Sequence, residues 1–192
     1  MDRRKSLKAL GVMATAGIFC SDKLVSAASI SKPIRLGVIS DLHGGLATDA
    51  RSRLEEFLRE MGSRECHALV QMGDFAYPNE EHQEYAQRFN DAHEETIHVI
   101  GNHEFDYGLT REDCFEAWGI EASYYRRDVE GLRVLVLDGN DKGSPSHRGG
   151  YPSFIGKTQQ QWLERELSQA DRPVLVLSHQ PLAGRSAIDN AG

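Results

Sequence analysis

Four short apolar runs in this chain each stop at a small polar cluster. Residues 34–40 deliver Asp41-Leu42-His43, residues 68–72 deliver Gly73-Asp74, residues 96–100 deliver Gly101-Asn102-His103-Glu104, and residues 174–178 deliver His179. Nearly continuous apolar runs of this length are what central strands covered on both faces require. An open α/β sheet builds its site in the crevice beyond the carboxyl ends of its strands. Four deliveries of carboxylate, amide and imidazole groups to strand ends therefore point to one shared metal centre.

The helical periodicity agrees with alternating strands and helices. Between the first two runs, Leu54, Phe57, Leu58 and Met61 fall on one stripe of a helix over residues 49–62, with Gly62 as its stop. A weaker helix over 80–95 turns Tyr85 and Phe89 inward. Thr110-x-x-Asp113 is a capping box for a short helix carrying Phe115 and Trp118. Thr158 is read as the cap of a helix over 159–170 with Trp162, Leu163 and Leu167 inward. Residues 124–127 and 132–137, joined by a four-residue turn at 128–131, read as a hairpin, so antiparallel pairing enters here. Residues 140–156 form a long loop rich in Gly, Pro and Ser, a length that compact domains keep for function or disorder.

Residues 1–28 read as an export signal: Arg3-Arg4-Lys5 precedes a short apolar run, and Ser26-Ala27-Ala28 offers small residues for cleavage. The apolar run is too short to span a bilayer. Export to the periplasm or the exterior is expected, by a twin-arginine route that carries a folded, metal-loaded protein. Residues 29–192 are expected to form one domain. Subtracting the 5 basic and 2 acidic residues of 1–28 from the chain's 22 and 29 leaves 17 and 27, a net charge of about −10. Such a surface argues against nucleic acid and anionic lipid as partners and gives no basis for stable membrane insertion. Cys66 and Cys114 do not amount to a disulfide framework and read as small, largely buried apolar residues.

The set Asp41-x-His43, Gly73-Asp74, Gly101-Asn102-His103-Glu104 and His179 resembles the calcineurin-like metallophosphoesterase family, with the Gly-Asn-His-Glu segment the most specific piece. The resemblance implies a four-layer α/β/β/α sandwich, incomplete at its C-terminus, and two divalent or trivalent ions such as Mn, Fe or Zn. It implies that Asp41 and His43 bind the first ion, Asp74 bridges, and Asn102 and His179 bind the second. His103 would serve the leaving oxygen, with Glu104 holding its ring. The implied reaction is hydrolysis of a small-molecule phosphate ester by metal-activated hydroxide. Arg148, in the 140–156 loop with Lys142 and His147, is a candidate for the substrate phosphate.

Two features depart from the family pattern. No histidine follows His179, whereas the family closes its ligand set with Gly-His-x-His, so a truncated parent or a catalytically dead phosphate-binding protein are both open readings. Tyr77 makes the second motif resemble that of purple acid phosphatases, where a tyrosine ligates iron. His43 fills the ligand position that those proteins usually leave without histidine, which favours a packing role for Tyr77. The opening motif together with Ser178-His179-Gln180-Pro181 also resembles bacterial cyclic-nucleotide phosphodiesterases.

Overall fold

The computed structural model describes residues 32–145 and 148–181. The expected export signal and His147 lie outside the described residues. Among them, six strands form two three-stranded sheets. The first contains β1 (Leu36–Ile39), β2 (Ala68–Gln71) and β3 (Thr96–His98), all parallel and in chain order. The second contains β4 (Tyr125–Val129), β5 (Leu132–Val136) and β6 (Val174–Leu177), with β4 antiparallel and β6 parallel to β5.

Alternation along these strands decides what packs where. Ala68, Val70, Ile97 and Val99 from the first sheet share a core cluster with Val134, Val136 and Leu177 from the second. Leu69 faces a different cluster, built with Leu54, Phe57, Leu58 and Met61 of α1 (Ala50–Gly62) and Tyr85 and Phe89 of α2 (Gln83–Asp91). Leu135, Leu137 and Val176 pack with Trp162, Leu163 and Leu167 of α4 (Lys157–Ser168). α3 (Arg111–Trp118) places Cys114 and Trp118 in a further cluster with Ile100. Cys114 is buried and Cys66 half-buried, both as free thiols. Burial pushes the Cys114 thiol well above its ordinary range.

The capping box opening α3 forms as expected, with Asp113 and Thr110 each accepting from the other's backbone N–H and Gly119 closing the helix in the left-handed region. Three boundaries differ from the sequence reading. The hairpin turn is two residues, not four: Asp128 pairs with Arg133 and Val129 with Leu132, and Glu130 and Gly131 turn the chain at φ of 49° and 83°. Two successive positive φ values match the right-handed strand twist and leave no need for a longer loop. α4 starts at Lys157, so Thr158 lies inside the helix. The residue before it, Gly156, donates its N–H to Asp141 2.7 Å away and fixes the approach of the chain. α2 starts only at Gln83, because the Asn79 side chain accepts from the His82 N–H at 3.0 Å and holds the preceding residues in a turn.

Phe89 joins the helices to the first sheet. It is fully buried, meets Phe75 edge-on at 5.3 Å, stacks with Phe57 at 6.4 Å and contacts the buried His98 ring. Burial keeps that imidazole neutral, at a pKa of about 3. Phe89→Ala is expected to cost about 3–5 kcal/mol, measured as a shift in the urea midpoint. A loss under about 1 kcal/mol would show that the cluster does not bear on stability.

Candidate metal centre

Strand ends alone do not bring the donors together; a zipper of backbone hydrogen bonds beyond the strands does. After β1 and β2 stop, the chain segments stay paired: Asp41 N–H donates to Gly73 O at 3.1 Å, His43 N–H to Asp74 O at 2.9 Å and Gly44 N–H to Phe75 O at 2.8 Å. Along this stretch Asp41, His43 and Asp74 adopt φ of 54°, 55° and 50°. An extended backbone would send the i, i+2 side chains of Asp41 and His43 the same way. The backbone is instead left-handed at both residues, and His43 Nε2 lies 4.0 Å from Asp41 Oδ1. Left-handed non-glycine residues are strained and persist only where neighbours enforce them. Arg53 of α1 supplies part of that enforcement, donating to the carbonyls of Asp41 at 3.3 Å and Leu42 at 2.6 Å.

The third segment is joined through a carboxylate. Glu104 is buried and accepts from the backbone N–H groups of Asp74 at 3.0 Å, Phe75 at 2.6 Å and Gly101 at 2.9 Å. It therefore does not hold the His103 ring, as the sequence reading expected. Asp106 does: its Oδ2 lies 2.7 Å from His103 Nδ1. Burial, reinforced by the negative charge of Asp74, pushes Glu104 up to about 7. Gly101 has to be glycine, because a Cβ there would collide with the Asp74 nitrogen and carboxylate.

His179 arrives from the second sheet. Its Nδ1 lies 2.8 Å from the Met72 carbonyl, which can only accept, so Nδ1 carries the proton and Nε2 is turned toward Asp74 Oδ2 at 3.4 Å. A ring nitrogen donating to a backbone carbonyl while the other faces the ion is the usual arrangement of a metal-binding histidine. Asp74 is only 5 % exposed. Its Oδ1 accepts the His103 N–H at 2.9 Å, and its Oδ2 lies 3.9 Å from His103 Nε2.

Two donor groups result, each with its ligand atoms within 4.8 Å of one another: His43, Asp74 and His103, and Asp41, Asp74 and His179. Asp74 is common to both. The grouping differs from the implied assignment, since Asp41 stands with His179 and His43 with His103. Asn102 precedes His103, half-buried, and makes no side-chain cap to the short 3-10 segment His103–Gly108 that follows it. These residues fit metal ions on an observation independent of their type: His43 Nδ1 is buried with no hydrogen-bond partner among the described residues.

Two other expected positions behave differently. Tyr77 packs edge-on against His82 and Tyr107 at 5.7 and 5.4 Å, and burial with the Tyr107 hydrogen bond pushes its phenol up to about 12. Arg148 is exposed, with Nη1 3.3 Å from the Pro145 carbonyl.

Sequence reasoning missed a buried support under the third loop. Asn140 donates to the Gly101 carbonyl at 3.1 Å and to Asp138 at 2.8 Å, and accepts from Gln180. Asp138 is paired in turn with Arg111 of α3 at 2.6 Å and donates its backbone N–H to the Gln159 side-chain oxygen at 2.9 Å. The readable signal was a polar Asp138-Gly139-Asn140 set ending β5, parallel to the four clusters that were recognised.

An α/β scaffold that gathers carboxylates and imidazoles around one shared aspartate has the donor set of a metal-binding protein. The chain belongs to the calcineurin-like phosphoesterase family, whose profile matches residues 34–191, and is thus a metallophosphoesterase. Among solved structures it is similar to a dimetal phosphatase from Danio rerio, at 18 % identity and a TM-score of 0.56, over 79 % of this chain and 71 % of that one. At that identity the likeness shows the fold. No curated protein matches the chain at a significant level.

The electrostatics give a pH dependence. Burial alone would raise Asp74, but the hydrogen bond and charge of His179, then the His103 N–H and charge, hold it below its ordinary value. Burial alone would lower His179, but the same carboxylate lifts it to about 9. The stabilisation from His179 in the metal-free protein is full below its ordinary 6.5 and lost as pH rises through about 9. A cation bound at Nε2 would displace its proton, so affinity for such a cation should rise over that same window with about one proton released. Calorimetry in buffers of different ionisation enthalpy measures it; affinity flat from pH 6.5 to 9 would contradict the assignment.

Proposed function

We propose that this chain hydrolyses small-molecule phosphate esters at a dinuclear centre in which Asp74 is the shared carboxylate. The observation that carries the proposal is the membership of Asp74 in both donor groups. Asp41, His43, Asn102 and His179 are the other protein ligands in this reading, and Mn, Fe or Zn suit their mixed oxygen and nitrogen donors. When bound, two such ions polarise the phosphoryl oxygens and lower the pKa of water to supply hydroxide. The four-layer α/β/β/α arrangement belongs to the same proposal, supported by the core cluster shared between the sheets and the helices packed on their other faces.

The chain's own residues do the rest. His103 is assigned to the leaving oxygen in this reading, supported by the contact of its Nδ1 with Asp106, which leaves Nε2 as the atom to give up a proton. Glu104 keeps the segments after β2 and β3 at fixed separation and takes no part in proton transfer. Arg148, exposed on the loop that precedes α4, is assigned to the substrate phosphate. Among the described residues, no helix is long and apolar enough to cross a membrane, and a small soluble ester is the substrate class this reading takes.

The test is steady-state hydrolysis by protein loaded with Mn, Fe or Zn and then stripped with chelator. Activity should vanish on stripping and return with metal. His103→Ala should lower turnover by roughly 10²- to 10⁴-fold with metal content intact, and less for a nitrophenyl ester, whose leaving group needs little help. Arg148→Ala should raise KM. Metal loss in His103→Ala would make that residue a ligand, as its place beside His43 and Asp74 allows, and an unchanged KM would return Arg148 to the surface.

A further inference from the structure

The Asp106 carboxylate is held at both oxygens. Its Oδ2 takes His103 Nδ1 at 2.7 Å, and its Oδ1 accepts the Tyr151 hydroxyl at 2.8 Å. The same hydroxyl lies 3.4 Å from His103 Nδ1, and the two rings meet with centroids 5.1 Å apart, tilted by 57°. Tyr151 comes from the long loop before α4, 48 residues beyond His103 in the chain, so the contact is long-range.

The loop is anchored just after this tyrosine. Phe154 N–H donates to Gly139 O at 2.8 Å and Asp141 N–H to Phe154 O at 3.2 Å, while Ser153 Oγ donates to Pro181 O at 3.3 Å and Gly156 N–H to Asp141 at 2.7 Å. These bonds fix residues 153–156 to the end of the second sheet. Asp106 itself sits at the kink of the 3-10 segment, where φ/ψ of −62°/154° is followed by a left-handed Tyr107 at 59°/17°. A side chain on so irregular a turn has no helix to fix its rotamer. A carboxylate with one bond can rotate about its last torsion, and a second bond on the other oxygen stops that rotation.

We propose that Tyr151 is a positioning residue for hydrolysis: its hydroxyl locks Asp106, and through Asp106 the His103 ring, in the orientation that serves the leaving oxygen. This rests on the hydrolase reading above for its catalytic consequence, though not for the contact itself. Tyr151 thereby makes the long loop a working part of the site, since it connects the second sheet to a group on the first.

Tyr151→Phe keeps the ring and removes the hydroxyl, with its bond to Asp106 and its longer contact with His103 Nδ1. In the Zn-loaded protein it should lower kcat on phenyl phosphate by roughly 5- to 50-fold, a part of the about 10²–10⁴-fold a general acid contributes. On p-nitrophenyl phosphate the loss should be under about 3-fold, with KM and metal content unchanged for both. In an Asp106→Asn background the substitution should add nothing further, because its path runs through that carboxylate. Equal losses on the two esters, or a full additional loss over Asp106→Asn, would overturn the proposal. The contact is also read without turnover, by the ¹⁵N resonance of His103 Nδ1 in metal-free protein: it should move in Tyr151→Phe and stay in Tyr124→Phe, whose ring packs on Trp162 instead. A protein that binds Zn yet cleaves neither ester would overturn the hydrolase reading alone, and the resonance then decides Tyr151, an unmoved signal overturning its role.

Discussion

Asp74 is buried between two histidines, and a carboxylate in that position is costly to ionise unless N–H groups or positive charge face it. The His103 N–H and the His179 ring supply that compensation. A second carboxylate, Glu104, lies close enough that their charges oppose each other, and the environment separates them. Asp74 is held down by the histidines while Glu104 is pushed up by burial and by Asp74 itself. Two acids in one pocket thus take different work: the first is available to metal, and the second accepts backbone N–H bonds that fix the distance between two loops.

That division explains why the backbone tolerates strain here. Asp41, His43 and Asp74 are all left-handed, and each such residue costs on the order of 1–3 kcal/mol. The cost is offset by the alternating hydrogen bonds between the segments after β1 and β2, by Arg53 beneath them and by the three N–H bonds to Glu104. A regular strand continuing through these positions would send alternate side chains to opposite faces. Leaving the strand conformation at the ligand positions is what lets donors from neighbouring segments meet around one carboxylate.

The architecture and most of the donor set were legible because both depend on short-range patterns. Apolar runs, the α1 stripe of Leu54, Phe57, Leu58 and Met61, and the Thr110–Asp113 box act within a few residues, and each is found where the periodicity placed it. Glu104 was misread for a physical reason: adjacency to His103 suggested contact, but a fully buried acid is drawn to unpaired N–H groups, and the turns after β2 and β3 present three. Asp106 was legible in principle, since it stands only three residues from His103. Tyr151, Asp138 and Asn140 were not, because their partners lie tens of residues away and only the docking of the two sheets brings them close. The pairing of Asp41 with His179 and of His43 with His103 has the same origin, since it depends on left-handed turns that no residue type announces.

The central claim is that one aspartate serves two ions. Anomalous diffraction from crystals of the protein soaked in Zn or Mn tests it most directly, since each ion appears as its own peak whatever the enzyme turns over. Two peaks on either side of Asp74, each within bonding distance of one of its carboxylate oxygens, are the predicted result, and both should disappear in Asp74→Ala. A single peak held by His179 and Asp41 with Asp74 turned away, or two peaks that persist in Asp74→Ala, would contradict it.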